Sequence, residues 1–298
     1  MIRVGTCSWT EKTLIQSGEF YPRTMRSAEE RLRFYSEHFN TVEIDSTYYA
    51  IPTKQNSYLW AQRSPSDFTF HIKVYAVLTG HAVDPRSLPK DILGEIPAKD
   101  REGKYVYVRK PSLVREIADR LIEALHPLLS SGKLGVLVFQ FPPWFTYREE
   151  HLDLISERKS LMGRYPFAVE FRHGSWYAPA VRDKVFHFLR KNQIIHVVAD
   201  EPQFGSQATI PFVPQTTADI AYYRLHGRNK ENWLKKGVET ALRYSYEYSE
   251  EELKKFVPDI QTSAKMAKET YVMFNNCHGG RAMRNAEEMN VLIRKGKG

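Results

Sequence analysis

The chain has 298 residues, 42% of them hydrophobic, and carries a formal net charge of +8. This length allows one large domain or two ordinary ones, and no apolar run approaches the roughly 20 residues of a membrane span. Two cysteines, Cys7 and Cys277, exclude a disulfide-built scaffold and favour a reducing compartment. No signal-peptide pattern is present, so we expect a cytoplasmic protein whose basic surface favours anionic partners.

Eight short runs rich in β-branched and aromatic residues predict β-strands along the chain. They occupy residues 2–9, 41–49, 68–74, 134–141, 167–173, 194–200, 220–227 and 270–276. Apolar residues at helical spacing mark the segments 27–39, 112–129, 148–162, 178–192, 249–269 and 283–295 between or after them. Two of these helices begin with the spacing of a capping box, Ser27 with Glu30 and Ser249 with Glu252.

The alternation of strands and helices predicts a parallel sheet. Eight such units are most simply a closed (β/α)8 TIM barrel, formed by residues 1–298 as a single domain. An open doubly wound sheet is the alternative, but it prefers a glycine-rich phosphate turn after the first strand, and residues 5–12 do not form one. The connection 201–219 shows little helical periodicity.

The connection 77–111, after the third strand, is far longer than the usual 4–6 residues. On a barrel it would lie at the C-terminal face. We expect either a lid over the site or a small subdomain that only shields the barrel mouth.

Charged residues recur at alternate positions of the predicted strands, and the positions between them are largely apolar. Because side chains alternate between the two faces of a strand, we expect the polar set to point into the barrel. The set comprises Glu43, Asp45, His71, Lys73, Glu170, Arg172, His196, Asp200, Arg224 and His226, with Gln140 and Asn275 near the ends of strands four and eight. We interpret Glu43 and Asp45 as members of structural ion pairs, since buried charges need partners.

The loops after strands seven and eight indicate a phosphate site. Arg228 follows strand seven, and Gly279, Gly280 and Arg281 precede the last helix. Barrels often bind phosphate with these loops, and arginine forks with glycine N–H groups suit an oxyanion. A tight turn with positive φ is the alternative for the glycines.

Further residues are expected to contact the substrate. They are Tyr48, Gln140, His173, Asn275, Asn276, Trp9 and Trp176. Trp144 and Trp233 also fall in or near the C-terminal loops, and rim packing is the alternative for each tryptophan.

Other chemistries stay open. The carboxylates and histidines could hold a divalent metal, although no tight motif such as His-Glu-x-x-His is present and the nearby cations oppose it. The motifs of the sequence assign no cofactor, and a divalent metal is the one cofactor considered. Glu43 and Glu170 could serve as the carboxylate pair of a glycosidase. Cys7 could act as a nucleophile or pair with Cys277.

Eight segments together resemble one family. They are VGTCSW (4–9), FNTVEIDSTYYAIP (39–52), FTFHIKV (68–74), VLVFQFPP (136–143), VEFRHGSW (169–176), VVADEP (197–202), YYRLHGR (222–228) and YVMFNNCHGGRAMRNA (271–286). Their order and content resemble the YecE-like family, domain of unknown function 72. The resemblance spans nearly the whole chain and implies a TIM barrel, but it implies no activity. Cys7 and the connection 77–111 depart from the family pattern.

The leading hypothesis is that the barrel mouth binds or acts on an anionic, phosphate-bearing substrate, with a nucleic-acid phosphodiester as its most concrete form. The phosphate-binding residues would be Arg172, Arg224, Arg228 and Arg281, with Glu170 or Asp200 as base or metal ligand, His226 as acid and Lys73 as neutralising cation. One alternative is a sugar or phospho-sugar isomerase or hydrolase. Another is a non-catalytic protein that binds nucleic acid or a metabolite.

Overall fold

The computed structural model describes residues 1–296, and for Thr240 the backbone only. Eight parallel strands close into one barrel in chain order, β1 to β8, as the sequence predicted. The strands are Ile2–Thr6, Thr41–Ile44, Thr69–Lys73, Leu134–Gln140, Phe167–Glu170, Ile195–Asp200, Ile220–Leu225 and Glu269–Phe274. Closure is made by β1 and β8, whose paired residues run from Ile2 with Thr270 to Thr6 with Phe274.

The α-helices of residues 1–296 surround the barrel or extend its connections. In chain order, α1 to α12 are Lys12–Ser17, Ala28–His38, Lys54–Gln62, Lys90–Glu95, Ala98–Arg101, Pro111–Ser130, Glu149–Leu161, Arg182–Lys191, Lys230–Trp233, Thr240–Arg243, Glu250–Met266 and Arg281–Lys295. The connection 201–219 forms neither helix nor strand. None of these helices is both long and apolar enough to cross a membrane.

Both predicted capping boxes are present. The hydroxyl of Ser27 accepts from the backbone N–H of Glu30, and the Glu30 carboxylate accepts from the backbone N–H of Ser27. Ser249 and Glu252 make the same reciprocal pair at the start of α11. These bonds satisfy N–H groups that the first helical turn leaves without a partner, so the chain signals both helix starts locally.

Strand β2 ends earlier than the sequence predicted. After Ile44 the chain turns into a 3-10 helix, Asp45–Tyr48. The Thr47 hydroxyl donates to the carbonyl oxygens of Ile44 and Lys73, at 2.6 and 2.7 Å. This turn therefore brings Asp45 to the rim of the barrel beside the end of β3.

The connection 77–111 is a folded cap on the barrel. It contains α4 and α5, and an antiparallel bridge joins Val83 to Val106 through two N–H···O bonds of 2.9 Å. Ile92 and Val106 are buried and belong to the same hydrophobic core as the barrel. Such packing is typical of a subdomain rather than of a free loop.

Gly5 lets β1 and β2 approach closely. A Cβ on Gly5 would overlap the backbone carbonyl of Thr41, which no side-chain rotation can relieve. Gly5→Ala is therefore expected to lower the free energy of unfolding by about 1–3 kcal/mol, as overpacking does. Urea denaturation measures this change.

Gly94→Ala is the matched control, because it adds the same methyl group within α4 and would meet nothing within 4 Å. We expect its free energy of unfolding to stay unchanged or to rise by a few tenths of a kcal/mol up to about 1. Equal destabilisation by the two substitutions would contradict the role of Gly5.

Candidate functional site at the barrel mouth

Arg224 occupies the centre of the barrel interior, where its side chain is fully buried. Its Nη2 donates to Glu43 Oε1 at 2.7 Å and its Nε donates to Glu43 Oε2 at 3.1 Å. Its Nη1 donates to Glu170 Oε2, and Nη2 also lies 3.4 Å from Asp45 Oδ1. The inward orientation predicted for these residues of β2, β5 and β7 is therefore observed. The structural ion pairs predicted for Glu43 and Asp45 are also present.

Glu170 is saturated with donors. Its Oε1 accepts from Gln140 Nε2 at 2.7 Å, His226 Nε2 at 3.0 Å and Arg172 Nη1 at 3.2 Å. Burial alone would raise the pKa of Glu170, but Arg224, His226 and Arg172 hold it well below its ordinary value. Such a carboxylate is a weak base, so the geometry argues against the predicted catalytic role of Glu170 and for a role in the ion-pair network.

Glu43 has the opposite electrostatic balance. Burial raises the pKa of Glu43 to about 7, although the guanidinium of Arg224 opposes this shift. One guanidinium lies between two carboxylates. Glu170 accepts further hydrogen bonds from Arg172 and from the neutral ring of His226, whereas Glu43 has the negative charge of Asp45 nearby. The charge of Glu43 is therefore less well compensated than that of Glu170. Besides Arg224, Glu43 accepts one hydrogen bond of 2.8 Å from the Tyr222 hydroxyl.

His226 has no ring nitrogen left for a substrate. Asn275 Nδ2 donates to its Nδ1 at 2.8 Å, which assigns the ring proton to Nε2, the atom that donates to Glu170. The side chain is fully buried, and burial lowers the pKa of His226 to about 4. The prediction that His226 serves as a general acid is therefore wrong for this arrangement. Together with Asn275, it orients Glu170.

The inward orientation predicted for His196 and Asp200 is wrong. Ala199 pairs with Arg224, and Asp200 pairs with Leu225. Paired residues of neighbouring parallel strands face the same side of a sheet, so Asp200 shares the outer face with Leu225. His196 likewise faces the helices, where its Nε2 lies 3.0 Å from the Tyr177 hydroxyl.

Asp200 and Arg228 pair with each other outside the barrel mouth. Arg228 donates to both oxygens of Asp200 at 2.8–3.1 Å and to Glu252 at 3.1 Å. The Tyr248 hydroxyl donates to Asp200 at 2.7 Å. Neither the predicted base or metal ligand, Asp200, nor the predicted phosphate clamp, Arg228, therefore reaches the mouth.

Glu201 is an inward residue that the sequence reasoning missed. It follows Asp200, has 1% of its surface exposed, and lies 3.2 Å from Arg172 Nη2. Burial raises the pKa of Glu201 to about 7 against the influence of Arg172. The sequence could have indicated Glu201, because Asp200 and Glu201 are adjacent acidic residues at the end of β6. Side chains alternate between the faces of a strand, so one of these two must face inward.

Two of the predicted substrate-contacting tryptophans belong to the core. Trp176 is fully buried, stacks on Phe171 at 4.2 Å and donates its Nε1 proton to the carbonyl of Phe145 at 2.6 Å. Trp9 has 6% of its surface exposed and packs edge-on against Trp60. Both rings therefore pack against other side chains of the protein, as the alternative interpretation predicted.

The other two tryptophans differ in exposure. Trp144 is exposed beside His81. Trp233 is buried and covers the guanidinium of Arg172 at 5.2 Å. Trp233 therefore closes the mouth above Arg172, which the sequence did not predict.

The predicted phosphate loop is a tight turn. Gly279 and Gly280 have φ values of 66° and 83°. The Gly279 N–H donates to Thr13 Oγ1 at 2.8 Å, and the Gly280 N–H donates to the Cys277 carbonyl at 3.4 Å. Because both N–H groups already have partners within the chain, the prediction that they bind phosphate is wrong.

Arg281, Asn276 and His173 also have local partners. Arg281 Nη1 bonds to the ring and carbonyl of His278. Asn276 is fully buried and donates to Tyr246 O and Asn285 Oδ1, both at 2.9 Å. His173 Nδ1 accepts from the backbone N–H of Ser175 at 3.2 Å and so caps the turn 174–177. The structure thus gives all three a local structural role and does not bring them together as a site.

A cavity of about 340 Å³ opens at the mouth. Its lining includes Cys7, Asp45, Tyr49, Lys73, Tyr244 and Asn275. The Lys73 ammonium lies 3.8 Å from Asp45 Oδ1 and 4.6 Å from the centre of the Tyr48 ring. Burial alone would lower the pKa of Lys73, but the charge of Asp45 holds it above its ordinary value. The cavity therefore contains a permanent cation.

Tyr244 divides the mouth. It lines the cavity of Lys73 and also a smaller cavity of about 120 Å³ that Arg172, Arg243 and Trp233 line. The tyrosine and Trp233 belong to the segment 230–246 after β7, which includes α9 and α10.

The two cysteines line the mouth cavity as free thiols. Burial raises the pKa of both Cys7 and Cys277 well above the ordinary value. The thiolate is the reactive form of cysteine, so neither side chain is activated as a nucleophile. Within residues 1–296, no three histidine, cysteine, aspartate or glutamate side chains are grouped as a metal site would require.

The fold and interior define a (β/α)8 barrel with a charged cluster beneath its C-terminal mouth. The chain belongs to the family described as "Protein of unknown function DUF72", whose model matches residues 3–297. It is 32% identical to the UPF0759 protein YunF of Bacillus subtilis (strain 168), over 98% of this chain and 95% of that one.

Two crystal structures of DUF72 family proteins are similar to it. The protein from Enterococcus faecalis V583 is 28% identical with a TM-score of 0.80, and the match covers 99% of this chain and 96% of that one. The protein from Thermotoga maritima MSB8 is 31% identical with a TM-score of 0.77, and the match covers 99% of both chains. These relatives confirm the family and the barrel, and their descriptions give no substrate.

Glu43→Gln is expected to remove a pH-dependent contribution to stability. The pKa of Glu43 is about 7 in the folded state against an ordinary 4.5, so folding tightens the binding of this proton. The resulting stabilisation is complete below 4.5 and is lost as the pH rises through 7. The free energy of unfolding of the wild type minus that of the variant should therefore fall over this range, measured by urea denaturation at several pH values.

A difference that stays constant or increases with pH would contradict the electrostatic balance inferred for Glu43. Glu123→Gln makes the same chemical change on the exposed face of α6. As the control, it should leave the pH dependence of the free energy of unfolding unchanged.

Proposed function

We propose that the protein binds, and acts on, a small anionic molecule that bears a phosphate group, at the C-terminal mouth of the barrel. The anionic group lies at Lys73, and Asp45 is the adjacent acid–base residue. The observation that carries this proposal is the ammonium of Lys73, which lines a cavity and donates no hydrogen bond to the residues of the described chain.

Lys73 differs from the other inward cations in its bonding. Arg224 and Arg172 donate hydrogen bonds to buried carboxylates, whereas Lys73 has only the long approach to Asp45. Its side chain is 12% exposed, and its negative partner keeps it protonated. An ammonium at the wall of a partly enclosed space can donate charge-assisted hydrogen bonds to the oxygen atoms of a phosphate group.

Asp45 is the member of the inward carboxylate set that a ligand can reach. Its side chain is 27% exposed, whereas those of Glu43 and Glu170 are fully buried. It lies in the same cavity as the Lys73 ammonium. A molecule that presents a hydroxyl group next to its phosphate would therefore place that hydroxyl within reach of a carboxylate that can accept its proton.

The size and charge of the mouth favour a small molecule over a nucleic-acid chain. A cavity of about 340 Å³ is at the small end of ligand pockets. The phosphodiester hypothesis also required Arg228 and Arg281 as backbone clamps, but Arg228 is paired with Asp200 and Arg281 is bonded to His278. A small phosphorylated molecule needs neither arginine.

The test is a calorimetric titration of the full chain with inorganic phosphate and with a panel of phosphorylated sugars and nucleotides. We expect Lys73→Met to weaken the binding of the best ligand at least about tenfold, since charge-assisted hydrogen bonds contribute roughly 1.5–3 kcal/mol. Turnover of that ligand, followed by phosphate release or by a change in its NMR spectrum, should be lost in Asp45→Asn.

Lys191→Met is the control, because Lys191 is an exposed lysine in the last turn of α8 at the opposite end of the barrel. Equal affinity in wild type and Lys73→Met, or equal loss in both lysine variants, would refute the proposed anion site. If the wild type binds the ligand but does not convert it, the protein is a binding protein and the acid–base role of Asp45 is refuted.

A further inference from the structure

Exposed tyrosines lie along one side of the barrel mouth and continue over the cap 77–111. Tyr49 is 65% exposed, Tyr105 is 56% exposed and Tyr107 is 45% exposed. Rings of this size are usually at least partly buried, because most of their surface is apolar. A cluster of exposed rings beside a cleft marks a binding surface.

The backbone displays Tyr105 and Tyr107 on the same side. Val106 forms the antiparallel bridge with Val83, and the side chains of Val106 and Val108 are buried. In an extended segment, alternate residues face opposite sides, so the two tyrosines project together away from the core. Two residues of extended chain separate their attachment points by roughly 7 Å.

Three hollows adjoin along these rings. Tyr105 and Tyr107 line a groove of about 370 Å³, and Tyr48, Tyr49 and Tyr105 line another of about 760 Å³. Tyr105 belongs to both grooves, and Tyr49 belongs also to the mouth cavity. We call the two grooves with their four tyrosines the tyrosine groove.

The residues that line the tyrosine groove balance in charge, and one further cation, Lys104, lies over the ring of Tyr105 at 5.4 Å. The lining contains three acidic residues and three basic ones, Asp84, Glu95, Asp100, Arg86, Arg109 and Lys110. Arg86 forms a fork with both oxygens of Asp84, and Lys110 pairs with Glu95 at 2.7 Å.

This balance decides between two kinds of chain that stack on aromatic rings. A nucleic acid brings one negative charge per nucleotide and depends on an excess of lysine and arginine. At the tyrosine groove Arg86 and Lys110 have carboxylate partners, while Arg109 and Lys104 lie over the rings of Tyr107 and Tyr105. Four cations thus face three carboxylates, which is a small excess for a phosphate backbone. An uncharged chain with hydroxyl groups instead finds both donors and acceptors in the paired side chains.

We propose that the tyrosine groove binds an uncharged oligosaccharide. The C–H faces of the sugar rings stack on Tyr49 and on the faces of Tyr105 and Tyr107 opposite Lys104 and Arg109. Their hydroxyl groups bond to the Asp84–Arg86 and Glu95–Lys110 pairs. This proposal does not rest on the anion site at the mouth, although the two adjoin: Tyr49 lines both, and Tyr48 of the groove contacts the Lys73 ammonium.

The test is a titration of the full chain with four neutral hexasaccharides, namely the cello-, xylo-, malto- and N-acetylchito-hexamers, monitored by calorimetry and by tyrosine fluorescence. We expect saturable binding of at least one of them below about 5 mM, with little dependence on salt. Tyr105→Ala and Tyr107→Ala should each weaken it roughly tenfold, whereas Tyr105→Phe should retain it because the ring supplies the contact.

Tyr58→Ala is the matched control, since Tyr58 is an exposed tyrosine on α3 outside these cavities. A ten-nucleotide oligothymidylate is the competing probe. The proposal is overturned if none of the four oligosaccharides binds, if both alanine variants bind as the wild type does, or if only the oligonucleotide binds. Circular dichroism of each variant separates loss of binding from loss of fold.

Discussion

The shared guanidinium of Arg224 is the interaction on which the interior of this barrel depends. It joins Glu43 on β2 to Glu170 on β5 from its own place on β7, so it links strands that are not neighbours in the sheet. Removing either partner would leave charge in a dry interior, which typically destabilises a protein by about 3–5 kcal/mol. An interior of this kind is held by directed bonds as well as by apolar packing, and it fixes the geometry of the strand ends above it.

The charged groups that could contact a ligand are those that are not fully bonded within this network. Glu170 and Arg224 bond to each other, and His226 uses both ring nitrogens within the cluster. Lys73 and Asp45 lie nearer the rim of the barrel, where both line the mouth cavity. Their charged groups are 3.8 Å apart, too far for a hydrogen bond. In the function proposed above, the buried cluster is a rigid support that positions the rim where the ligand binds.

The C-terminal face presents two surfaces of different charge. The mouth offers a lysine in a small cavity, while the tyrosine groove beside it is lined by rings and by nearly equal numbers of acidic and basic side chains. The cap 77–111 creates the second surface, because its bridge at Val106 holds Tyr105 and Tyr107 outward. An insertion that appears in the sequence only as an overlong loop therefore contributes a defined wall.

The sequence by itself determined the barrel, the order of its strands, both capping boxes and the inward charges of β2, β5 and β7, because periodicity and helix caps are local properties. It did not determine which side of β6 faces inward, since alternation defines two faces and only pairing with β7 selects one. The burial of Trp176 and the partners of Gly279 and Arg228 likewise depend on segments distant in the chain. Tertiary structure decided these features because a side chain's exposure and bonding are set by neighbours that local sequence does not specify.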